Sequence, residues 1–281
     1  MKLSFTKMQG CANDYIYLDC RTSGVPEEIA ALSEHLSRRH FSIGADGIIC
    51  ICAPVTAGAD AMMRIFNADG SEGKMCGNGI RCVAKYVYDY GLTDKDEISI
   101  ATKSGIKYVK LQVENGKVKT VRVDMGAPIL NAGLIPIVSE NPQVINEAIT
   151  AGGREYRMTG VSMGNPHAIT FVNNVEEFDV EKYGKILEIK KEFPKHSNIE
   201  FVELIDKNNI KMRVWERGSG ETLACGTGSC ASVVACILNN KTERKVNVHL
   251  LGGTLEIEWN KQNNHVYMEG PAEIVFEGEI E

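Results

Sequence analysis

The chain has 281 residues, 43% hydrophobic and 24% charged, with a formal net charge of −6. That is ordinary globular composition, enough for one large or two medium domains with a core that needs no disulfide staples. The acidic balance gives no electrostatic footprint for nucleic acid or an anionic membrane. The first residues lack the apolar core of a signal peptide. The longest small-and-apolar run, 230–238, is too short to span a bilayer, so a soluble, cytoplasmic protein is expected.

In chain order, residues 3–9 read as a strand. Residues 26–39 read as an amphipathic helix with Pro26 in its first turn, where the missing N–H costs nothing. Strand patterns follow at 47–52, 61–67, 97–102 and 106–114, and Asn115-Gly116 turns the last of these into 118–125, because Asn-Gly accepts the positive φ of a type I′ turn. Gly126-Ala127-Pro128 marks the break between two halves. Beyond it, 168–172, 198–205, 210–215, 246–251, 254–259, 266–268 and 274–276 read as strands, and 180–191 as a surface helix. Two more helices are expected at 78–90 and 227–238. The second is apolar nearly all round, so it belongs in the middle of a core. Many strands about one buried helix, twice over, predict two α+β domains in which a curled sheet wraps a central helix.

Two stretches look like copies. Arg64-Ile65-Phe66-Asn67 precedes Met75-Cys76-Gly77-Asn78-Gly79, and Arg213-Val214-Trp215-Glu216 precedes Ala224-Cys225-Gly226-Thr227-Gly228. In each, an Arg stands twelve residues before the Cys and an aromatic ten before it, and the copies are offset by 149 residues. That spacing fits an internal duplication. The other seven of the nine cysteines, Cys11, Cys20, Cys50, Cys52, Cys82, Cys230 and Cys236, lack zinc-finger spacing and read as buried inert thiols.

A Cys at a helix start feels the positive end of the backbone dipole, which lowers a thiol pKa. The Gly-x-Gly that follows lets backbone amides approach an anion such as a carboxylate. Two such sites facing each other could remove a proton from one face of a carbon and return one to the other, with the carbanion stabilised by donors aimed at the carboxylate.

At these residues the chain resembles diaminopimelate epimerases. The resemblance runs through Met8-Gln9-Gly10-Cys11-Ala12-Asn13-Asp14-Tyr15, Gly44-Ala45-Asp46-Gly47, 66–71 with 75–82, Gly164-Asn165-Pro166-His167-Ala168, and 214–218 with 224–228. It implies two similar domains, pseudo-twofold related, each a mostly antiparallel, barrel-like sheet around a central helix. The last strand is implied to return to the first, giving domains 1–126 plus 271–281 and 127–270. It implies that Cys76 and Cys225 are the acid/base thiols. Gly77, Asn78, Gly226 and Thr227 are implied to bind the reacting α-carboxylate. Asn13, Asn67, Asn165, Asn198, Glu216 and Arg217 are implied to orient the substrate. His167 and Glu216 are implied to assist the thiols. A homodimer working on diaminopimelate without pyridoxal phosphate, metal or other cofactor is expected. Arg217 suits a carboxylate and Glu216 an ammonium. Cys11 and Ala12 depart from the usual opening motif.

Three rivals stand beside this reading. A proline or hydroxyproline racemase-like enzyme shares the two-thiol logic, but such enzymes commonly carry His where Asn78 stands. A dithiol redox protein using Cys76 and Cys225 would oxidise and reduce the pair, although no Cys-x-x-Cys is present. A binding module without catalysis is the third reading.

Overall fold

A computed structural model describes residues 2–280. The chain forms two compact units, Met1–Asp124 with Glu269–Glu281, and Met125–Met268.

In the first unit the elements run β1 (Leu3–Gly10), β2 (Asn13–Asp19), α1 (Ile29–Leu36), β3 (Gly47–Cys52), β4 (Ala61–Asn67), β5 (Glu72–Gly73), α2 (Gly77–Asp89), β6 (Glu97–Thr102), β7 (Gly105–Glu114) and β8 (Lys117–Asp124). β1 and β2 are antiparallel, β2 and β3 parallel across α1, and β3 and β4 antiparallel. β4 then takes β5 on one stretch and β6, in parallel, on another. The hairpin of β7 and β8 follows, and its Asn115 and Gly116 both have positive φ, as the turn chemistry requires. β18 (Glu273–Ile280) comes back to pair with β1.

The second unit repeats this order. β9 (Glu147–Ala151) and β10 (Arg154–Ser162) form a hairpin, and β11 (Pro166–Phe171) pairs antiparallel with β10. α3 (Val180–Glu188) crosses to β12 (Asn198–Leu204), parallel to β11, and β13 (Asn209–Glu216) and β14 (Gly220–Thr222) follow. α4 (Gly226–Leu238) leads to β15 (Lys245–Leu250) and β16 (Gly253–Trp259), and β17 (Val266–Pro271) leaves toward the first unit. The β9–β10 hairpin has no place in the expected strands. Its Gly152-Gly153 turn, both at positive φ, carries the signal.

The central strands are covered on both sides. All six residues of β3 are buried. Ile48, Cys50 and Cys52 join Ile29 and Leu36 of α1 in one cluster, while alternation sends Ile49 to the other face, against Gly79 of α2. In the second unit, Val180 and Leu187 of α3 pack with Phe201 and Ile199. α4 buries Gly226, Gly228 and every residue from Ser229 to Cys236, so the expected central helix is present. The helix expected at 26–39 is shorter, Ile29–Leu36.

The duplicated arginines have a structural use. Arg64 Nε donates to Glu72 Oε1 at 2.8 Å and Arg213 Nε to Glu221 Oε1 at 2.6 Å. Each pair ties the long strand to the short one that carries the chain to its cysteine. Arg213 also donates to the carbonyls of Val175, Glu176 and Phe178.

Candidate active site

Both cysteines cap the central helix of their unit. Cys76 and Cys225 have extended backbone, and each sulfur accepts the N–H three residues on, Gly79 at 3.3 Å and Gly228 at 3.4 Å. The helices thus begin at Gly77 and Gly226, one residue before the expected starts. The N–H groups of Gly77, Asn78, Gly226 and Thr227 lie in the first turn, where no intrahelical acceptor exists. They are the donors a carboxylate would use. The third amide of each turn goes to sulfur instead.

Glycine is required at both third positions. A Cβ on Gly79 would lie 2.5 Å from Ile49 Cδ1, and one on Gly228 would lie 2.7 Å from Glu200 Oε1. Two side chains from equivalent central strands therefore press on the two helix starts.

In the first unit, the half-buried Cys76 donates its S–H to Asn13 Oδ1 at 3.2 Å. Asn13 Nδ2 donates to Asp46 Oδ2 at 2.7 Å, and Arg39 pairs with both Asp46 and Asp14. Lys7 also pairs with Asp14, so the carboxylates behind Asn13 are matched by cations. Burial, and then the adjacent Cys76 sulfur, push the Tyr15 phenol well above its ordinary range. Asn78 is buried and its Oδ1 accepts from Arg81 Nη1 at 3.0 Å, while Arg81 Nε donates to Pro271 O. Arg81, fully buried, thereby fastens the start of α2 to the returning C-terminal segment. Asn67, at the end of β4, donates to Ser71 Oγ at 3.0 Å.

In the second unit, Cys225 is 6% exposed, with Thr227 Oγ1 at 3.6 Å. Asn165 Nδ2 donates to Thr227 Oγ1 at 3.3 Å. His167, fully buried, has Nε2 3.1 Å from Asn165 Oδ1 and Nδ1 2.6 Å from Glu200 Oε1. Glu216 accepts from Thr222 Oγ1 at 2.5 Å. Burial raises the Glu216 carboxyl above its ordinary value. The Cys225 thiol is pushed well above its own, first by burial, then by Glu216 and Glu200. This corrects the expectation that a helix start lowers both thiol pKa values. At Cys225 the Gly228 amide and Thr227 do favour the thiolate, but loss of water and two carboxylates outweigh them.

Asn198 and Arg217 form a neighbouring group. Asn198 Oδ1 accepts the Arg217 backbone N–H at 2.9 Å and its Nδ2 donates to Pro166 O at 2.8 Å. Its amide thus holds the loop that presents Arg217, whose Nη1 donates to Lys195 O at 3.0 Å. The expected site residues fall into two groups, one in each unit. Glu200 and Tyr15 join them without having been singled out in the sequence. Among the described residues, no group of three or more His, Cys, Asp or Glu side chains is arranged to hold a metal, and no helix is long and apolar enough to cross a membrane.

The duplicated architecture is that of a known fold class. A PhzF-family phenazine biosynthesis protein of Bacillus anthracis superposes with a TM-score of 0.72 at 18% identity, covering 100% of this chain and 99% of that one. A hydroxyproline epimerase of Agrobacterium vitis gives 0.71 at 12%, covering 99% and 92%. Within that class, sequence narrows the family. The diaminopimelate epimerase family model matches residues 5–131 and 159–275. Diaminopimelate epimerases of Agathobacter rectalis and Methanococcus maripaludis are 58% and 57% identical, each over 99% of this chain and 99% and 100% of their own lengths. The chain belongs to the diaminopimelate epimerase family.

Proposed function

We propose that this protein is a pyridoxal-phosphate-independent isomerase that interconverts LL- and meso-2,6-diaminopimelate, a step toward lysine and cell-wall precursors. The observation that carries the proposal is that each unit caps its buried helix with a thiol beside first-turn amide donors and an Asn side chain.

In this reading the α-carboxylate takes the first-turn amides of Gly77, Asn78, Gly226 and Thr227, where negative charge builds as the α-proton leaves. Asn13, Asn67, Asn165, Asn198, Glu216 and Arg217 orient the two amino acid ends. Cys225, held as the thiol by burial and two carboxylates, gives its proton to the α-carbon. Cys76, its own S–H proton first released to solvent, takes the original proton from the opposite face as the thiolate, so the centre inverts. In the reverse direction Cys225, now thiolate, is the base and Cys76 the acid. His167 and Glu216 modulate the Cys225 half of this exchange. The reaction requires both sulfurs at one carbon, with residues 1–126 plus 271–281 supplying one and 127–270 the other. The same reading includes a cytoplasmic homodimer, which light scattering of the purified protein tests.

The deciding experiment incubates the protein under reducing conditions with LL-diaminopimelate in D2O. Deuterium at one α-carbon with formation of the meso isomer is expected. Turnover of proline but not diaminopimelate would move the protein to the racemase class. Thiol–disulfide exchange without α-deuteration would make it a redox protein.

A further inference from the structure

The two half-sites differ at equivalent positions, and the registers define the equivalence. Phe66 and Trp215 correspond through the repeat, and they pair with Ile48 and Ile199. Those residues pair in turn with Ile16 and Ala168 on the parallel strands. Counting one residue along each strand, Ile49 corresponds to Glu200 and Tyr15 to His167. The first unit thus has an apolar side chain under its helix start, where the second has a carboxylate against an imidazole.

Glu200 is fully buried on a strand whose neighbours Ile199 and Phe201 are also fully buried. Oε2 has no hydrogen-bond partner among the described residues, and Oε1 takes the 2.6 Å contact with His167 Nδ1. A buried carboxylate with an unsatisfied oxygen is costly, and an apolar residue fills the same place in the sister unit. The same point above Gly228 lies 2.7 Å from Glu200 Oε1 and 3.2 Å from Cys225 Sγ. Glu200 therefore looks in one direction at His167 and in the other at the cysteine turn.

We propose that Glu200 is a positioning residue of the Cys225 half-site: placed between His167 and the cysteine turn, it locks the His167 ring with a proton on Nδ1. This inference rests on the epimerase reading. With Nδ1–H donated to Glu200, Nε2–H donates to Asn165 Oδ1, and the Asn165 amide nitrogen donates in turn to Thr227 in the first turn of α4. A third group that orients a histidine is a recurring device for fixing which nitrogen faces the chemistry. The charged groups around Cys225 are then Glu216 from β13, Glu200 from β12 and His167 from β11. Asn67, Ile49 and Tyr15 hold the equivalent places around Cys76.

The first test needs no turnover. Nitrogen-15 spectra of the full-length labelled protein should show His167 protonated at Nδ1. In Glu200→Gln, the amide can donate to Nδ1, and that nitrogen should lose its proton while Nε2 keeps its own. The second test is kinetic. Glu200→Gln should lower kcat about 10- to 100-fold, the range for residues that orient a working group, with KM changed less than about twofold. The alkaline limb of its pH profile should move to lower pH, because Cys225 loses a neighbouring negative charge. Wild-type His167 protonated at Nε2 alone would overturn the proposal even if the variant does not fold. So would a kcat loss with an unmoved alkaline limb, or no kcat loss. If instead diaminopimelate is not turned over at all, the epimerase reading falls, and the His167 spectrum still decides the role of Glu200.

Discussion

Around Cys76 stand Asn13, Tyr15 and Ile49, with Asn67 at the strand end; at the equivalent places around Cys225 stand Asn165, His167 and Glu200, with Glu216. The backbone is repeated down to the cap hydrogen bond, 3.3 Å in one unit and 3.4 Å in the other. Geometry alone would make the two thiols alike. The side chains one strand away make them unlike, because Tyr15, Ile49 and Asn67 in the first unit are replaced by an imidazole and two carboxylates in the second. Duplication thus supplies a matched pair of helix caps, and substitution gives their sulfurs different surroundings, which in the proposed reaction would divide the acid and base roles.

The largest expected effect breaks the pairing. Cys76→Ala and Cys225→Ala should each lower epimerisation by roughly 10²- to 10⁴-fold, the usual weight of a positioned acid or base. Full activity in either variant, measured by α-deuteration, would contradict the two-thiol reading. Next, the duplicated braces should prove unequal. Arg213→Met should destabilise by about 3 kcal/mol, as loss of a largely buried ion-pair partner does, because Arg213 also holds three carbonyls. Arg64→Met should cost about 1–2 kcal/mol. Urea denaturation of both variants measures the difference, and equal losses would count against it.

Gly79→Ala should cost about 1–3 kcal/mol by overpacking against Ile49, and Ile49→Val in the same chain should recover part of it. An unchanged urea midpoint in the single variant would refute the close fit. The smallest effect concerns Glu216, whose folded pKa lies above its ordinary 4.5. The folded protein then holds this proton to higher pH than the unfolded chain, so stability falls as pH rises from 4.5 through the folded value. Glu216→Gln removes that fall. Its Tm should exceed the wild type's at pH 7, with the gain vanishing below pH 4.5, while its epimerase activity drops.

Much of this was legible in the sequence because it is local. The Cys-Gly-x-Gly repeats marked both helix starts, and the apolar run 230–238 marked the buried helix. Asn115-Gly116 marked the hairpin. What was not legible depends on register. Glu200 sits in a strand whose pattern looks ordinary, and only the pairing of β11, β12 and α4 turns it toward His167 and Cys225. Tyr15 was visible only as a motif letter for the same reason. The repeated Arg and aromatic marked the duplication without showing their use. The arginines are braces to Glu72 and Glu221, and Trp215 packs its ring beneath Gly184 of α3. Helix-dipole reasoning misjudged Cys225, because burial and two distant-in-sequence carboxylates oppose the dipole.

The most direct measurement is the pH dependence of Cys225 alkylation in the wild-type protein, followed at its own peptide by mass spectrometry, with the midpoint and not the absolute rate as readout. A midpoint well above the ordinary thiol value of about 8.5 is expected. A midpoint at or below that value would mean that burial and the two carboxylates do not hold Cys225 as the thiol, and the proposed division of roles between the two units would be wrong.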